Sequence, residues 1–346
     1  MTTGDIRAGL ATDVGRRRRN NQDLGFAEHG VYVVCDGMGG GKGGERASAR
    51  TIERLRALTA LPTRNRADIE TVLGDAQADV LELGDELGGV AGTTVTGLIL
   101  VHADVDDPAD VQGSDGTPTR PADGPIPDDT QDVPGGCGPD TASDENGSPA
   151  PASGPGAKAP LPYSTGHLAY VVNIGDSRTY HMDPLPDGTG WDASSLTRIT
   201  RDHSQRQEAI DSGEMLPDVA RSLIPRNVIT QCVGDPEGIA PDLFLADATG
   251  RFIVCSDGLH AEVSGDAQIA AIAAAYDDPQ QAADALVQAA LEAGGSDNVT
   301  VVVVDMPLGH PLRHGWSVTK LGEEEDIGNI ADETLQTLRT ITPRRP

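Results

Sequence analysis

Four carboxylates sit where apolar runs end. Asp36 follows Val33-Val34-Cys35, and Asp257 follows Ile253-Val254-Cys255-Ser256. Asp176 follows Val171-Val172-Asn173-Ile174-Gly175, and Asp297 precedes Asn298-Val299-Thr300-Val301. A short β-branched apolar run reads as a buried strand, so each acid stands where such a strand reaches the surface. Were the four ends to converge on one sheet edge, their charges would repel unless a cation were present. Oxygen-only ligands select hard cations such as Mg2+ or Mn2+. No His or Cys set has zinc spacing. Two hard cations about 4 Å apart activate a bridging water in many hydrolases. The alternative is a set of separate turn residues: Asp-Gly occurs at 36, 115, 123, 187 and 257, and a lone Asp-Gly is ordinarily a turn. Spacing leaves both readings open.

A second chemical signal lies near the N-terminus. Thr12-Asp13-Val14-Gly15 is followed by Arg16-Arg17-Arg18-Arg19-Asn20-Asn21-Gln22-Asp23. A guanidinium fork in such a cluster can clamp a phosphate. The plainer reading, a solvated basic turn that balances nearby acid, fits three of the four arginines.

The elements that would position these residues are legible in part. Strands are expected at Val31–Cys35, Thr93–Val101, His167–Ile174, Thr179–Met182, Leu243–Leu245, Arg251–Cys255 and Val299–Val304. Helical spacing runs through Ile52, Leu55 and Leu58, and through Ile69, Leu73, Ala76, Val80 and Leu83. It recurs through Ile269, Ile272, Ala273 and Tyr276, and after Pro279 as far as Gly294-Gly295. Strands and helices come in blocks and do not alternate. That order predicts an α+β fold of antiparallel sheets with helices packed outside, and not a doubly wound parallel sheet.

Between the second and third of these strands lies a stretch of different composition. Asp104–Pro162 holds 12 of the chain's 24 prolines, and 12 acidic residues against Arg120 and Lys158. Such a segment cannot bury enough apolar surface to offset its ordering entropy. It is expected to be a disordered or loosely held insertion between neighbouring strands, tolerable because loop-closure cost grows slowly with length. The catalytic unit is expected over 1–307, and 308–346 as a peripheral or flexible tail.

The 346-residue chain has 54 acidic and 26 basic side chains, a formal net charge of −28. That charge argues against non-specific nucleic acid binding. No apolar window is long enough for a transmembrane helix, and Met1–Leu10 lacks the apolar core of a signal peptide. Four cysteines without close pairing fit a reducing, cytoplasmic setting. Cys35 and Cys255 read as small core residues.

Taken together, the motifs resemble the metal-dependent protein Ser/Thr phosphatases of the type 2C, or PPM, family in its bacterial form. The match runs through Thr12-Asp13-Val14-Gly15 with Arg18 and Asn21-Gln22-Asp23, then Val34-Cys35-Asp36-Gly37-Met38-Gly39-Gly40 and Gly92-Thr93-Thr94. It continues through Ile174-Gly175-Asp176-Ser177-Arg178, Asp202-His203-Ser204, Cys255-Ser256-Asp257-Gly258-Leu259 and Gly295-Ser296-Asp297-Asn298-Val299-Thr300. The resemblance implies a four-layer αββα sandwich. It also implies hydrolysis of phosphoserine and phosphothreonine in proteins by a metal-activated water, without a phosphoenzyme. By position, Asp36 would bridge two Mn2+ or Mg2+ ions, the Gly37 carbonyl would reach one, and Asp257 and Asp297 would hold the other. Asp176 matches an acid that helps bind a third, looser metal. Arg18 matches the phosphate-binding arginine, and Asp13 and Asp23 match residues that act near the metals through waters.

Two positions depart from the family pattern. Gln22 stands where many members have Glu, and Met38 stands where eukaryotic members have a proton-donating His. His203 is the best side-chain replacement as general acid, with a structural His beside a mobile flap as the competing reading. Phosphoprotein substrates, a Ser/Thr kinase whose action is reversed, no membrane anchor and a monomer complete the expectation.

Rival readings fare less well. Gly39-Gly40-Gly41-Lys42-Gly43-Gly44 fits G-x-G-x-x-G, but no second strand follows the helix as a dinucleotide fold needs. Lys42 is not followed by Ser or Thr, which removes the P-loop. A non-catalytic phosphoprotein-binding scaffold on the same fold predicts lost metal acids, yet all four are present. A phosphatase dedicated to one phosphoprotein, of the anti-sigma antagonist type, shares the chemistry and differs only in partner.

Overall fold

The computed structural model describes residues 6–39, 43–102, 168–263, 265–306 and 316–322. The insertion expected at Asp104–Pro162 lies outside them. In chain order the described elements begin with β1 (Arg7–Asp13), β2 (Asp23–Glu28), β3 (Val31–Met38), α1 (Gly43–Arg56) and α2 (Arg66–Leu87). Next come β4 (Gly92–Thr93), β5 (Val95–Leu100), β6 (Leu168–Ile174), β7 (Arg178–Met182) and β8 (Thr197–Arg198). Two short helices, α3 (Gln205–Asp211) and α4 (Pro217–Leu223), precede β9 (Asp242–Asp247) and β10 (Arg251–Cys255). The remainder is α5 (Asp257–His260), α6 (Asp266–Ala274), α7 (Pro279–Ala293), β11 (Val299–Asp305) and β12 (Val318–Lys320).

The strands form two antiparallel sheets, one ordered β1-β11-β10-β7-β8 and one ordered β12-β9-β6-β5-β3-β2 with β4 beside β3. Period-two alternation explains how unbroken apolar runs serve both faces. In β3, Val31, Val33 and Cys35 join α1 and α2 in one core, while Tyr32 and Val34 point between the sheets. In β11, Val299, Val301 and Val303 pack against α6 and α7, while Val302 and Val304 meet the facing sheet. Fully burying each such side chain contributes roughly 1.5–3 kcal/mol. The layers are therefore helices, sheet, sheet, helices, the expected αββα sandwich. β5 and β6 pair from Val95↔Ile174 to Leu100↔Ala169, so the strands flanking the insertion are neighbours as expected.

The helix ends follow local chemistry. Asn65 and Asp68 form a reciprocal capping box at the start of α2, and Gly88, at φ 65°, closes it. Asp278 caps α7, with Pro279 in its first turn.

Four strands were not legible, among them the two-residue β8, too short to leave a pattern. β1 and β2 lie at sheet edges and carry few apolar residues, so they lack the run that marked the others. β12 falls in the stretch expected to be a peripheral tail. It instead extends the larger sheet along β9, with Leu321 buried behind it.

Candidate active site

The space between the sheets changes character along its length. At one end it is apolar, lined by Leu98, Leu100, Phe252, Val254, Val302 and Val304. Continuing the same alternation toward the strand ends, hydroxyls replace methyls. Thr96 and Thr179 meet at 3.0 Å, Thr94 and Ser177 at 2.7 Å, and Thr12 and Thr300 at 2.7 Å. Beyond the hydroxyls stand the carboxylates.

Asp36 continues the inward-facing series Tyr32, Val34 at the end of β3. Its backbone N–H donates to Thr94 Oγ1 at 3.0 Å, and its carbonyl accepts from Thr94 N at 2.9 Å and Thr93 Oγ1 at 3.0 Å. Asp23 lies directly across the β2–β3 pair from Asp36. Ser256 Oγ donates to Asp23 Oδ2 at 2.6 Å, and Ser256 in turn accepts from Thr300 N at 2.9 Å. Asp23 Oδ1 is buried without a hydrogen-bond partner. Asp257 opens α5, where Gly258 lets the turn press on β11: a Cβ there would stand 1.9 Å from the Asn298 carbonyl oxygen.

These acids feel one another. Burial, then the charges of Asp23, Asp257, Asp176 and Asp297, hold the Asp36 carboxyl well above the usual carboxylate range. Burial raises Asp23 to about 7 against the pull of Ser256, and the Asp257 charge adds to the rise. Burial and the charges of Asp257 and Asp202 raise Asp176 to about 7. Asp257 is raised by burial and then by Asp297.

Arg18 reaches the same place from the N-terminal loop, donating from Nη2 to Asp297 Oδ2 at 2.6 Å. The loop is held by Asn298, whose side chain had no assigned role in the sequence reading. Asn298 Nδ2 donates to the carbonyls of Val14 (2.8 Å) and Asn20 (2.9 Å), and its Oδ1 accepts from Gln22 N at 2.9 Å. Gly15, at φ 76°, brings the same loop against the Asp297 carbonyl. Arg16, Arg17 and Arg19 are exposed.

Asp13 is the outlier among the expected acids: its Oδ1 accepts from Gly15 N at 2.7 Å and closes the local turn. Gly37 packs against the start of α1, where a Cβ would meet the Gly44 carbonyl at 2.2 Å. Cys35 and Cys255 are buried in the two outer cores, and burial pushes both thiols up, Cys255 to about 12.

The structure places His203, the expected proton donor, beside the Gly175 turn. Its Nδ1 accepts from Gly175 N at 3.2 Å, and its Nε2 lies 3.4 Å from Asp242 Oδ2. Both ring nitrogens are engaged in holding the Gly175 turn. Beside it, Arg178 donates from Nε and Nη2 to Asp202 at 2.8 and 2.6 Å. The two motifs that contain Asp176 and His203 are thus one interlocked unit.

The residues present fit hard divalent cations. Every donor is an oxygen, one buried carboxylate oxygen is orphaned, and several acids are held away from ionisation by burial and mutual repulsion. Among the described residues, no three His, Cys, Asp or Glu side chains are already gathered round one point. Asp297 is turned to Arg18 and to its own neighbour, accepting from Asn298 N at 2.9 Å. In the larger sheet, Asp36, Asp176 and Asp23 stand at the ends of β3, after β6 and at the start of β2. Asp257 and Asp297 come from the smaller sheet. The site therefore straddles the mouth between the layers.

No protein-family model matches the chain. It is 30 % identical over 303 residues to the Ser/Thr protein phosphatase PstP of Mycobacterium tuberculosis. That alignment covers 87 % of this chain and 45 % of the relative, so the chain spans about half the length of that protein. Among solved structures, it superposes on the PPM Ser-Thr phosphatase MsPP of Mycobacterium smegmatis, in complex with cacodylate. The TM-score is 0.58 at 29 % identity, covering 86 % of this chain and 97 % of that one. It superposes with TM-score 0.57, at 24 % identity, on the catalytic domain of PstP in complex with two manganese ions, covering 87 % and 97 %.

Proposed function

The chain belongs with the PPM-type Ser/Thr protein phosphatases, and from that premise we propose that it hydrolyses phosphoserine and phosphothreonine in proteins, using Mn2+ or Mg2+. The carrying observation is the gathering of Asp23, Asp36, Asp176, Asp257 and Asp297 at one mouth between the sheets, with Arg18 paired to Asp297.

Asp36 and Asp257, with Asp297 and the Gly37 carbonyl, would hold two cations, and Asp176 would help hold a third. When bound, such cations supply a water that loses its proton near neutral pH and positive charge opposite the phosphate. The chain's own residues do the rest. Arg18 offers a planar fork to the phosphoryl oxygens, held in reach by the Asn298 loop. Asp23 and Asp13 would act near the cations through waters, Asp13 while also holding the Gly15 turn. Ser256, by donating to Asp23 Oδ2, fixes the carboxylate that faces Asp36. The hydroxyls behind the carboxylates are tied to one another or to Asp23, and burial pushes the Cys35 and Cys255 thiols up, which holds them protonated. Attack by water without a phosphoenzyme follows. With both His203 nitrogens engaged, the leaving group takes its proton from water.

In this reading the catalytic unit spans 1–307 around the acidic insertion, acts as a monomer in the cytoplasm, and opposes a Ser/Thr kinase. Among the described residues, no helix is long and apolar enough to cross a membrane. The test is hydrolysis of a phospho-Thr peptide with and without Mn2+, by the protein and by Asp36→Asn. Metal-dependent turnover that Asp36→Asn removes supports the reading. Metal-independent turnover, or an unaffected mutant, overturns it. Peptide binding without turnover would favour the scaffold reading.

A further inference from the structure

The mouth between the sheets opens sideways into a cleft of about 730 Å³. Asp176 and Asp257 form one wall, and Arg206, Arg221 and Arg226, from the α3–α4 segment, form another. These arginines stand out in a chain of net charge −28. Elsewhere on this side, arginines are matched with carboxylates: Arg178 and Arg198 with Asp202, Arg201 with Asp211. Arg221 has only Asp218, on an exposed turn of its own helix. Among the described residues, Arg206 and Arg226 have no carboxylate partner. Arg206 lines the cleft and uses Nε and Nη2 to hold the Ile224 carbonyl at 3.1 and 2.6 Å. Arg226 makes only a 3.5 Å contact to Ser296 Oγ. Arg206 is pulled down first by burial and then by the charges of Arg226 and Arg221, so the three repel one another.

Asp202, Glu262 and Asp266 also line the cleft, but they are engaged with Arg178, Ser296 and Tyr180. Clustered like charges without a close ion-pair partner are a standing cost that an incoming anion lowers. The metal-site acids do not provide that partner, since in the proposed function their charge is met by cations. Arg226 has no ion-pair partner among the described residues, Arg221 has only the exposed Asp218, and Arg206 keeps donors beyond its tie to Ile224; together they match a dianion better than a single carboxylate. The same segment shows how the anion arrives. Leu216, Val219 and Leu223 are 74, 42 and 66 % exposed. They stand at helical spacing along α4, an apolar strip of the kind that contacts a polypeptide.

We propose that the Arg206–Arg221–Arg226 wall is a second phosphate subsite, which selects protein substrates carrying another phosphorylated residue close to the one being hydrolysed. This rests on the phosphatase reading above and deepens it by naming the substrate class. The subsite binds and does not react. The neighbouring phosphoryl group lies against the arginines while the scissile one lies at Asp36 and Arg18.

The test is binding and turnover of three peptides of one sequence. Each carries one phospho-Thr, with a nearby position as Ala, Glu or a second phospho-Thr, moved through the flanking positions. Binding is read by fluorescence anisotropy on Asp36→Asn with Mn2+, and turnover on the unaltered protein. At the best spacing, the doubly phosphorylated peptide should bind at least tenfold tighter than the Ala peptide, with the Glu peptide well behind. Arg206→Ala/Arg226→Ala should bring that ratio near one. Because Arg206 also ties α3 to Ile224, the milder Arg226→Gln should at least halve the ratio while leaving the melting curve in place. Equal binding of the Ala and doubly phosphorylated peptides, equal binding of the Glu and doubly phosphorylated peptides, or a ratio that survives the double mutant each overturns the subsite. Selective binding without any turnover would instead sink the phosphatase reading and leave the subsite standing.

Discussion

Asp23 and Asp36 stand directly opposite each other in the antiparallel β2–β3 pair, the first carboxyl buried and the second partly open to the mouth. Like charges at facing positions destabilise a sheet. The fold accepts this arrangement at a strand end where Ser256 and Thr94 fix the surroundings. It is the arrangement expected of a place kept for positive charge.

The first prediction concerns pH. Asp23 and Asp176 are raised to about 7, and Asp36 is raised as well. The unfolded chain releases these protons near pH 4. Between about pH 4 and 7 the folded state therefore binds more protons than the unfolded one, so stability falls as pH rises. Metal-free protein should melt at a higher temperature at pH 5.5 than at pH 8, and Mn2+ should raise the melting temperature far more at pH 8. Calorimetry with chelator and with metal checks both. A metal-free protein that melts no lower at pH 8 contradicts the raised carboxyls.

Asp36→Asn follows from the same repulsion. The amide removes one charge from the cluster and can donate to Asp23 Oδ1, which has no partner. Metal-free protein should become more stable at pH 8, while turnover falls about 10²–10³-fold or more and the Mn2+-induced rise in melting temperature shrinks. Chemical denaturation and phosphopeptide turnover measure the opposed effects.

What was legible follows from burial on two sides. The inner strands β3, β5, β6, β10 and β11 are covered on both faces, so Val31–Cys35 and Val299–Val304 announced themselves as runs, and the acids ending them could be placed. β1 and β2 are edge strands with one packed face, so Asp23 and Asp13 carried no strand signal of their own, and only the family resemblance singled them out. The Arg206–Arg226 wall was not legible: its arginines are spread over short helices with little periodicity, and only the folded segment brings them together. His203 drew attention through its Asp-His-Ser context alone. Its partners, Gly175 N and Asp242, are remote in sequence.

The role of His203 is testable by itself. His203→Ala loses two modest contacts, about 1 kcal/mol each, and loosens the turn that carries Asp176. Melting should fall and turnover should drop a few-fold, but the pH–rate profile should keep every limb seen in the parent. Loss of the basic limb would restore His203 as the general acid.

Arg251 offers a control on stability alone. It is fully buried, donates to Asp305 at 2.6 and 2.9 Å, and caps the Ala273 and Tyr276 carbonyls. It begins β10, at the end away from Asp257. Arg251→Ala strands those carbonyls and leaves Asp305 with Arg7 alone, and should cost about 3 kcal/mol. The fraction that remains folded should turn over substrate at the parent rate, which denaturation and active-fraction kinetics together report.

Gly258→Ala should do the reverse. Its Cβ would fall 1.9 Å from the Asn298 carbonyl oxygen, a backbone atom that no rotamer change can clear. Either α5 lifts, carrying Asp257 with it, or the start of β11 moves, carrying Asp297 and the Asn298 clasp on the Arg18 loop. Both routes widen the gap between groups that share a metal and a phosphate in the proposed function. A displacement of about 1 Å can cost on the order of 10²-fold in rate. We expect that loss in kcat/KM, with a higher Mn2+ concentration for half-maximal activity. Both outer cores, which involve neither Gly258 nor Asn298, should keep the protein folded. Parent-like activity and metal affinity in a folded Gly258→Ala protein would show that the close approach of α5 to β11 is not what sets the spacing of Asp257 and Asp297.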